Sequence, residues 1–335
     1  MPITSKFISL KEYIPAGNPK LSHFSLNASE INLENSNDVL VKNEWISVDP
    51  YMRARMTERK NYLPPFELNK PMLGAAIGKV QKSNSKNFSE GDIVLSENGW
   101  RDYFVEKDTK LQKIENKDLP IQTYLGPLGM TGHTAYIGLF KIGDLKEKQT
   151  VLVSSAAGSV GSLVCQIAKN LGCTVIASTG SDEKVEWLKN QLGVDHAFNY
   201  KKVENLVLHL KSLSPEGYDL YFDNVGGDFL EAAIFRMKNF GKIIICGRIS
   251  QMNATSPGEG IKNMAHVLVK RLTIKGFLIF DHVNDRENFE NDMKNWISND
   301  KIKWKETVVQ GIENAPQAFL DLLNGKNIGK MLVKI

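Results

Sequence analysis

The 335-residue chain has only three cysteines, Cys165, Cys173 and Cys246, and none stands in a C-x-x-C pair. Such sparse, odd-numbered spacing argues against a disulfide framework and against a four-cysteine zinc lobe. The six histidines, at 23, 133, 196, 209, 266 and 282, form no H-x-x-x-H pair. A ligand set for a catalytic zinc cannot be assembled from them. No apolar run approaches the roughly 20 residues that cross a bilayer. The start, Met1-Pro-Ile-Thr-Ser-Lys6, lacks the apolar core of a signal peptide. The net charge is only +4 and is spread along the chain. Clusters such as Lys201-Lys202 therefore read as solvated faces and not as a nucleic-acid footprint. These absences lead to the expectation of a cytoplasmic protein that binds neither membrane nor nucleic acid.

What is present is an ordinary soluble composition, 42% hydrophobic and 24% charged. The length suits two domains, each able to bury a core. From about residue 24 to 120 the chain is a series of short β-prone runs, such as Val39–Val48, Ala75–Val80 and Asp92–Leu95, punctuated by Gly, Pro, Asn and Ser. That pattern predicts a twisted, barrel-like domain. Around Thr123 the pattern changes. Strands are predicted at Thr150–Ser154, Thr174–Ser178, His196–Asn199, Leu220–Asp223, Lys242–Cys246 and Thr273–Gly276. Helices fit between them at Val160–Leu171, Asp182–Gln191, Val203–Leu213, Phe229–Met237 and Gly260–Lys270. Repeated βα units of this length build a doubly wound parallel sheet, so the fold class is α/β. From about 295 the rhythm ends, and Lys330-Met-Leu-Val-Lys-Ile335 reads as a strand returning to the first domain.

The most informative stretch is Val151-Leu-Val-Ser-Ser-Ala-Ala-Gly-Ser-Val-Gly161, followed directly by an amphipathic run to Gly172. A buried strand, a small-residue turn and a helix N-terminus are the parts a dinucleotide pyrophosphate requires. Ala156 replaces the first glycine of G-x-G-x-x-G, and Gly158 and Gly161 keep the other two. A carboxylate at the end of the second strand would select NAD, whereas cations and hydroxyls accept the 2′-phosphate of NADP. Here the strand ends Ala177-Ser-Thr-Gly180, with Lys184 one helical turn on and Tyr200 closing the third strand. This favours NADPH. Asp182 and Glu183 are the counter-evidence, since either carboxylate can accept a ribose hydroxyl.

Several segments in chain order resemble one family. They are Ser47-Val-Asp-Pro-Tyr-Met-Arg53, Gly129-Met-Thr-Gly-His-Thr-Ala-Tyr136, Ala156-Ala-Gly-Ser-Val-Gly161, Gly180-Ser-Asp-Glu-Lys184, Asn199-Tyr-Lys201, Tyr221-Phe-Asp-Asn-Val-Gly-Gly227, Cys246-Gly-Arg-Ile-Ser-Gln251 and Gly325-Lys-Asn-Ile-Gly-Lys330. Together they resemble the zinc-independent medium-chain dehydrogenase/reductases, in the leukotriene B4 dehydrogenase/prostaglandin reductase branch. The resemblance implies a GroES-like β-barrel domain (1–122 and 295–335) beside a Rossmann-type NADP-binding domain (123–294), with the active site in the cleft between. It implies NADPH-dependent reduction of the C=C bond of small apolar enones and alkenals, by a homodimer. By position it implies that Gly158, Ser159, Val160 and Gly161 hold the pyrophosphate, and Lys184 and Tyr200 the 2′-phosphate. Asn224, Cys246, Gly247, Ser250 and Met252 would border the cofactor, and Phe277, Ile279 and Asn327 would reach its nicotinamide end. Hydride addition to an enone makes an enolate, which hydrogen-bond donors can stabilise without a metal.

One departure stands out. Relatives carry C-G-x-I-S-x-Y-N after the fifth strand, and here the tyrosine position is Met252, a thioether with no proton to donate. The substitutes are Tyr62, in Asn61-Tyr-Leu-Pro-Pro65, Tyr51, in the Asp-Pro-Tyr segment, and the 2′-hydroxyl of the nicotinamide ribose. Arg53 and Arg55 either attract a carboxylate-bearing substrate or pair with acidic neighbours. His133 and Cys165 read as structural. A quinone reductase and a cofactor-binding protein with little turnover are the competing readings.

Overall fold

The computed structural model describes residues 2–115, 118–256, 258 and 260–335. The chain opens with strands β1 (Ile3–Leu10), β2 (Phe24–Ile31), β3 (Asp38–Ser47), β4 (Ala76–Ser83), β5 (Ile93–Ser96), β6 (Tyr103–Lys107) and β7 (Gln112–Lys113). Helix α1 (Met130–Ile137) precedes the alternating part: β8 (Thr150–Val153), α2 (Ser159–Asn170), β9 (Thr174–Thr179), α3 (Asp182–Leu192), β10 (His196–Asn199), α4 (Leu206–Leu213), β11 (Tyr218–Asp223), α5 (Gly227–Arg236), β12 (Met237–Ile245), α6 (Met264–Lys270) and β13 (Thr273–Gly276). Helix α7 (Arg286–Ser298), β14 (Glu306–Gln310), α8 (Ala315–Leu323) and β15 (Lys330–Lys334) complete it.

Two compact units result, residues 1–125 with 306–335 and residues 126–305. Both boundaries differ from those expected. A turn at Ile121–Leu125 buries Thr123 in the first unit, which carries the first boundary past 122. At the second, α7 runs straight through residue 295 with Phe289, Met293 and Ile297 buried. The Gln166 amide of α2 then holds the following segment, donating to Lys303 O (2.8 Å) and accepting from Lys303 N (2.7 Å).

In the first unit the strands run β14-β15-β3-β4-β5-β7 in one sheet, with β6 also paired to β3 and β1 paired to β2. Strand β15 lies antiparallel to β3, so the chain's last strand shares a sheet with its first third. Trp100, Phe24 and Phe319 pack ring to ring in the core of this unit, with Ile46, Met52, Phe66 and Val333 around them.

In the second unit six parallel strands run β10-β9-β8-β11-β12-β13, a doubly wound order with its switch point between β8 and β11. The central strands are buried on both faces, which explains the unbroken apolar runs Val151–Val153 and Tyr221–Phe222. Helix α2 buries Leu163, Val164, Cys165, Ile167 and Ala168. Helix α3 is capped by Ser181 and ends at Gly193, whose φ of 65° a left-handed C-cap requires. All five helices differ from expectation at one end or both, α2 and α3 by a single residue. The stretch predicted from Val203 begins at Leu206, where Asn205 caps it (Leu208 N to Asn205 Oδ1, 3.0 Å). The helix predicted to end at Met237 stops at Arg236, because Met237 opens β12. The helix predicted from Gly260 starts at Met264.

His133 in α1 is 3% exposed and stacks on Phe289 of α7 at 5.0 Å. Its Nε2 has no partner among the described residues. Burial, then the Arg286 charge, depress its pKa from 6.5 to about 4. The folded chain therefore holds this imidazole neutral where the unfolded chain protonates it. Stability from this site is present above pH 6.5 and is lost as pH falls toward about 4. Thermal melts across that window should show the melting temperature of the wild type falling more steeply than that of His133→Phe.

Candidate functional site

The second unit brings its candidate residues together at the C-terminal ends of β8, β9, β11 and β12. After β8, Ser155 turns the chain back with a φ of 49°, and Ala156 N donates to Ser178 O (2.9 Å), fastening the turn to β9. Gly158 then caps α2. The N–H groups of Ser159, Val160 and Gly161 have no intrahelical acceptor, and they stand at the positive end of the helix dipole. A Cβ on Gly161 would overlap the Ser155 carbonyl oxygen and lie 2.8 Å from Ala156 Cα, so only glycine fits the third position. Ala156 is fully buried, and the first position accepts its methyl within the core. The Ser159 hydroxyl donates to Thr131 Oγ1 (2.8 Å), which donates in turn to Gly126 O (2.9 Å). Ser159 thus anchors α2 to α1 through its side chain and leaves its N–H for a ligand.

Asp223 orders the next part. Its fully buried Oδ1 accepts from Tyr221 OH (2.6 Å), Ser154 Oγ (3.3 Å), Val225 N (2.9 Å) and Gly226 N (2.9 Å). Its carbonyl accepts from Cys246 N (2.9 Å) and Gly247 N (3.0 Å). Asn224 is clamped from both sides, its N–H on Ser154 Oγ (3.0 Å) and its amide on Ser154 O (2.8 Å). A Cβ at Gly247 would lie 3.1 Å from Asn224 O, so the loops after β11 and β12 run backbone to backbone. Ser250 Oγ donates to Val225 O (2.6 Å) and closes this arrangement. Burial, then the Asp223 charge, push the Cys246 thiol up to about 12, which makes it an inert wall and not a nucleophile. Met252 follows a turn at Ile249–Gln251 and is half-buried. Phe277 lies against α1's end, where a Gly138 Cβ would stand 3.3 Å from its ring, and Ile279 opens the turn that follows.

At the tip of β9, a Cβ on Gly180 would stand 3.5 Å from both Lys201 Cε and Tyr200 Cε1 and 3.7 Å from Lys201 Nζ. Lys184 is half-buried, and its pKa is lowered by burial first and then by the Lys201 charge. Two ammonium groups close enough to repel make a place for an anion with several acceptors. Asp182 is already engaged, by Lys202 (2.5 Å) and by the Asn199 amide (3.0 Å). Of the two carboxylates that could accept a ribose hydroxyl, Asp182 is therefore spent. The sequence reading missed Lys201, which was taken with Lys202 as a solvated face. Both side chains are exposed, and Lys201 in addition stands beside Gly180 and repels Lys184. The place of Lys201 beside Gly180 follows from the pairing of β10 with β9. The free N–H groups, the glycine cradle and the lysine pair fit a dinucleotide carrying a 2′-phosphate.

In the first unit, Tyr51 sits in the turn Pro50–Met56. Its hydroxyl has no hydrogen-bond partner among the described residues and stands 3.8 Å from where a Gly74 Cβ would be. Burial, then the charges of Asp49 and Glu97, hold the phenol well above its usual pKa, so it keeps its proton. Tyr62 is 44% exposed and lies on the loop whose Asn61 side chain accepts its own N–H (2.8 Å). Asn327 is buried and its amide donates to Gly329 O (2.8 Å), so that donor is used within its own turn. Arg53 and Arg55 do not lie on the barrel surface. Both are buried: Arg53 donates to Gly17 O (3.0 Å), and Arg55 donates to Pro64 O (2.9 Å) while lying 4.2 Å over the Phe66 ring.

Residues 6–114 match the family described as the N-terminal domain of oxidoreductase, and residues 159–299 match the family described as zinc-binding dehydrogenase. The zinc of that description has no counterpart in the donor set. Cys165, Cys173 and Cys246 stand apart as free thiols, and among the described residues no three His, Cys, Asp or Glu side chains are grouped to hold a metal ion. The chain is 41% identical to the NADP(+)-dependent 2-alkenal reductase of Nicotiana tabacum, covering 99% of this chain and 98% of that one. It is 42% identical to prostaglandin reductase 1 of Bos taurus, covering 99% of both. Among solved structures, CurA of Vibrio vulnificus in complex with NADPH superposes with a TM-score of 0.93 at 39% identity, over 98% of each chain.

A charge-assisted contact to phosphate contributes about 1.5–3 kcal/mol. Lys184→Ala and Lys201→Ala should each weaken NADPH binding by about ten-fold or more on that basis. NADH binding should be unchanged, as read by isothermal titration with both cofactors. Equal losses for the two cofactors would make these lysines surface bystanders.

Proposed function

This chain belongs to the zinc-independent branch of the medium-chain dehydrogenase/reductases, and on that premise we propose that it reduces the C=C bond of α,β-unsaturated aldehydes and ketones with NADPH. The observation that carries the reading is end-to-end similarity to a 2-alkenal reductase, 41% identical over 99% of the chain. Bound NADPH supplies the hydride that adds to the substrate β-carbon. The chain's own groups do the rest. The N–H groups of Ser159, Val160 and Gly161 meet the pyrophosphate, and Lys184 and Lys201 meet the 2′-phosphate, with Tyr200 beside them. Asp223 keeps the loops bearing Asn224, Cys246, Gly247 and Ser250 in register beneath the rest of the cofactor. An enolate forms as the hydride arrives, and it needs a donor at oxygen and a proton at the α-carbon. Tyr51 carries an unpaired hydroxyl that stays protonated, and it is the donor in this reading. Tyr62 is the more solvated phenol and has the lesser role. Met252 offers an apolar wall to the acceptor.

Steady-state NADPH oxidation with trans-2-alkenals, 15-keto lipids and a quinone tests the reading. Turnover of the enones with little on the quinone is expected, and tight NADPH binding without turnover of any enone would overturn it. Removing one oxyanion donor costs about 100-fold or more in kcat. Tyr51→Phe should show a loss of that size, with a smaller effect for Tyr62→Phe. Adding Met252→Tyr to the Tyr51→Phe variant should recover about ten-fold, because it restores a phenol where the chain has a thioether.

A homodimer belongs to the same proposal. Strand β13 ends the six-stranded sheet and leaves one edge unpaired. Beside it, Leu268 and Val269 of α6 and Val283 are 79%, 65% and 65% exposed. A second copy adding its own β13 would satisfy the edge and cover these side chains. The three unpaired cysteines suit a reducing, cytoplasmic compartment. No helix among the described residues is long and apolar enough to cross a membrane. Light scattering should give twice the chain mass for the wild type and a shift to monomer for Leu268→Glu/Val269→Glu.

A further inference from the structure

Strand β15 carries a lysine where its neighbours are apolar. Met331, Leu332 and Val333 are buried hydrophobes, and Lys330 is buried beside them. Its Nζ lies 2.5 Å from Asp49 Oδ1 and donates to Val48 O (3.2 Å). The other Asp49 oxygen accepts from the buried Ser47 hydroxyl. Ser47 itself pairs with Leu332 across β3 and β15, and Val48 N donates to Met331 O (3.2 Å). Asp49 is the cap residue of the turn Pro50–Met56, and its carbonyl accepts from Met52 N (3.2 Å), which closes the first bend around Tyr51. An aspartate at a cap ordinarily turns its carboxylate onto the N–H groups of its own turn. Here it makes no such bond and is given to Ser47 and Lys330 instead. The far end of the turn has other anchors: Met56 O accepts from Ile14 N (2.7 Å), and Arg55 O accepts from Phe66 N (2.8 Å). The near end begins with Pro50, which has no N–H to give. Beyond Val48, the Asp49 side chain is what fastens that end to the sheet.

We infer that Lys330 is a positioning residue for the reaction: by holding Asp49 it fixes the entry of the turn and so the place of the Tyr51 phenol. The inference rests on the reading of Tyr51 as the enolate's donor. The role is geometric, and the pair transfers no proton. Only Pro50 stands between Asp49 and Tyr51, and its ring locks φ. A shift of Asp49 therefore passes to Tyr51 without a soft joint to absorb it. The phenol's own surroundings are close: its hydroxyl lies 3.8 Å from where a Gly74 Cβ would be, and the neighbouring Met52 is fully buried against the same glycine. Replacing a buried ion pair by a hydrophobic pair of similar volume is often neutral for stability. What the charged pair adds over such a replacement is direction, because an ammonium group bonded to a carboxylate and a carbonyl has one place to be. A donor must come within about 3.2 Å of the oxygen it serves. An error of about 1 Å in such a placement costs up to about 100-fold in rate.

The test compares a broken pair with a replaced one. Lys330→Met leaves Asp49 buried without its cation and should lower the melting temperature. Adding Asp49→Leu makes the pair hydrophobic and should bring the melting temperature back near that of the wild type. With NADPH and a trans-2-alkenal, kcat of this double variant should nevertheless stay about ten-fold below wild type. Its KM for NADPH should be unchanged, because the phosphate contacts lie in the second unit. Made in the Tyr51→Phe background, the same replacement should cost nothing further, since the phenol it places is gone. Ser47→Ala is the milder variant: it removes one hydrogen bond to Asp49, keeps the ion pair, and should cost about three-fold in kcat, again only with Tyr51 present. A double variant with wild-type melting temperature and wild-type kcat overturns the inference and leaves the pair a structural tie. A loss that persists in full in Tyr51→Phe overturns it as well. If the double variant does not fold, Ser47→Ala decides on the same two criteria. A wild type that turns over no enone, or a Tyr51→Phe variant as fast as wild type, overturns the reading beneath the inference and marks that reading as the fault.

Discussion

The site depends on one buried carboxylate. Asp223 ends β11 at the switch point, and its side chain gathers Ser154 from the end of β8, Tyr221 from its own strand, and the N–H groups that open α5. Its carbonyl takes the two N–H groups that follow β12. Three strand ends and two loops thus share one residue. Burial raises the carboxyl's pKa while the surrounding N–H and O–H donors pull it the other way. Losing any one donor would expose the desolvation cost of the rest, about 1–3 kcal/mol for each unsatisfied group. The arrangement is therefore all or none, and Asn224 and Gly247 are held to the tolerance that a backbone-bound cofactor demands.

The same economy separates the two ends of the cofactor site. At the phosphate end, specificity comes from backbone N–H groups, a glycine that a Cβ would break and a pair of ammonium groups. These respond to small sequence changes abruptly, because the space at Gly161 is set by Ser155 and Ala156 and cannot be given back. At the reacting end, few side chains carry donors. The thioether of Met252 widens the apolar surface and removes a phenol. In the proposed reading the proton comes from elsewhere, and Tyr51 is a half-buried phenol whose hydroxyl has no hydrogen-bond partner among the described residues.

Much of this was legible in the sequence, for definite reasons. The parallel sheet could be read from unbroken apolar runs such as Val151–Val153, because strands buried on both faces have no polar side to show. His196–Asn199 and Thr273–Gly276 were placed to the residue, since turn residues bound them. Lys184 could be placed by its distance from the glycine turn. Lys201 could not, because its role depends on β10 pairing with β9 and on a repulsion between two side chains distant in sequence. The burial of Arg53 and Arg55 was hidden for a similar reason: charge on a surface loop and charge buried in a turn, as Arg55 is over Phe66, look alike until packing is known. Helix boundaries failed where a side-chain cap decided them, as at Asn205, or where a strand claimed the last residue, as at Met237.

The first unit repeats the logic of Asp223 with an ion pair in place of a carboxyl held by neutral donors. Lys330 and Asp49 are each 5% exposed by side chain, 2.5 Å apart. The ammonium group also donates to Val48 O, and the second carboxylate oxygen accepts from Ser47 Oγ. A charge pair so dry is costly to form, and removing one partner costs about 3–5 kcal/mol because the other is left buried and alone. Its yield is positional. It ties β15, the last strand of the chain, to the residues just before Pro50, where the turn carrying Tyr51 begins. After burial, the charge of this carboxylate is the next cause that raises the Tyr51 phenol's pKa. A hydrophobic pair of equal volume would tie the strands as well, but it would leave Tyr51 without that field. The ion pair thus sets both the place of β15 and the charge around the turn that carries Tyr51.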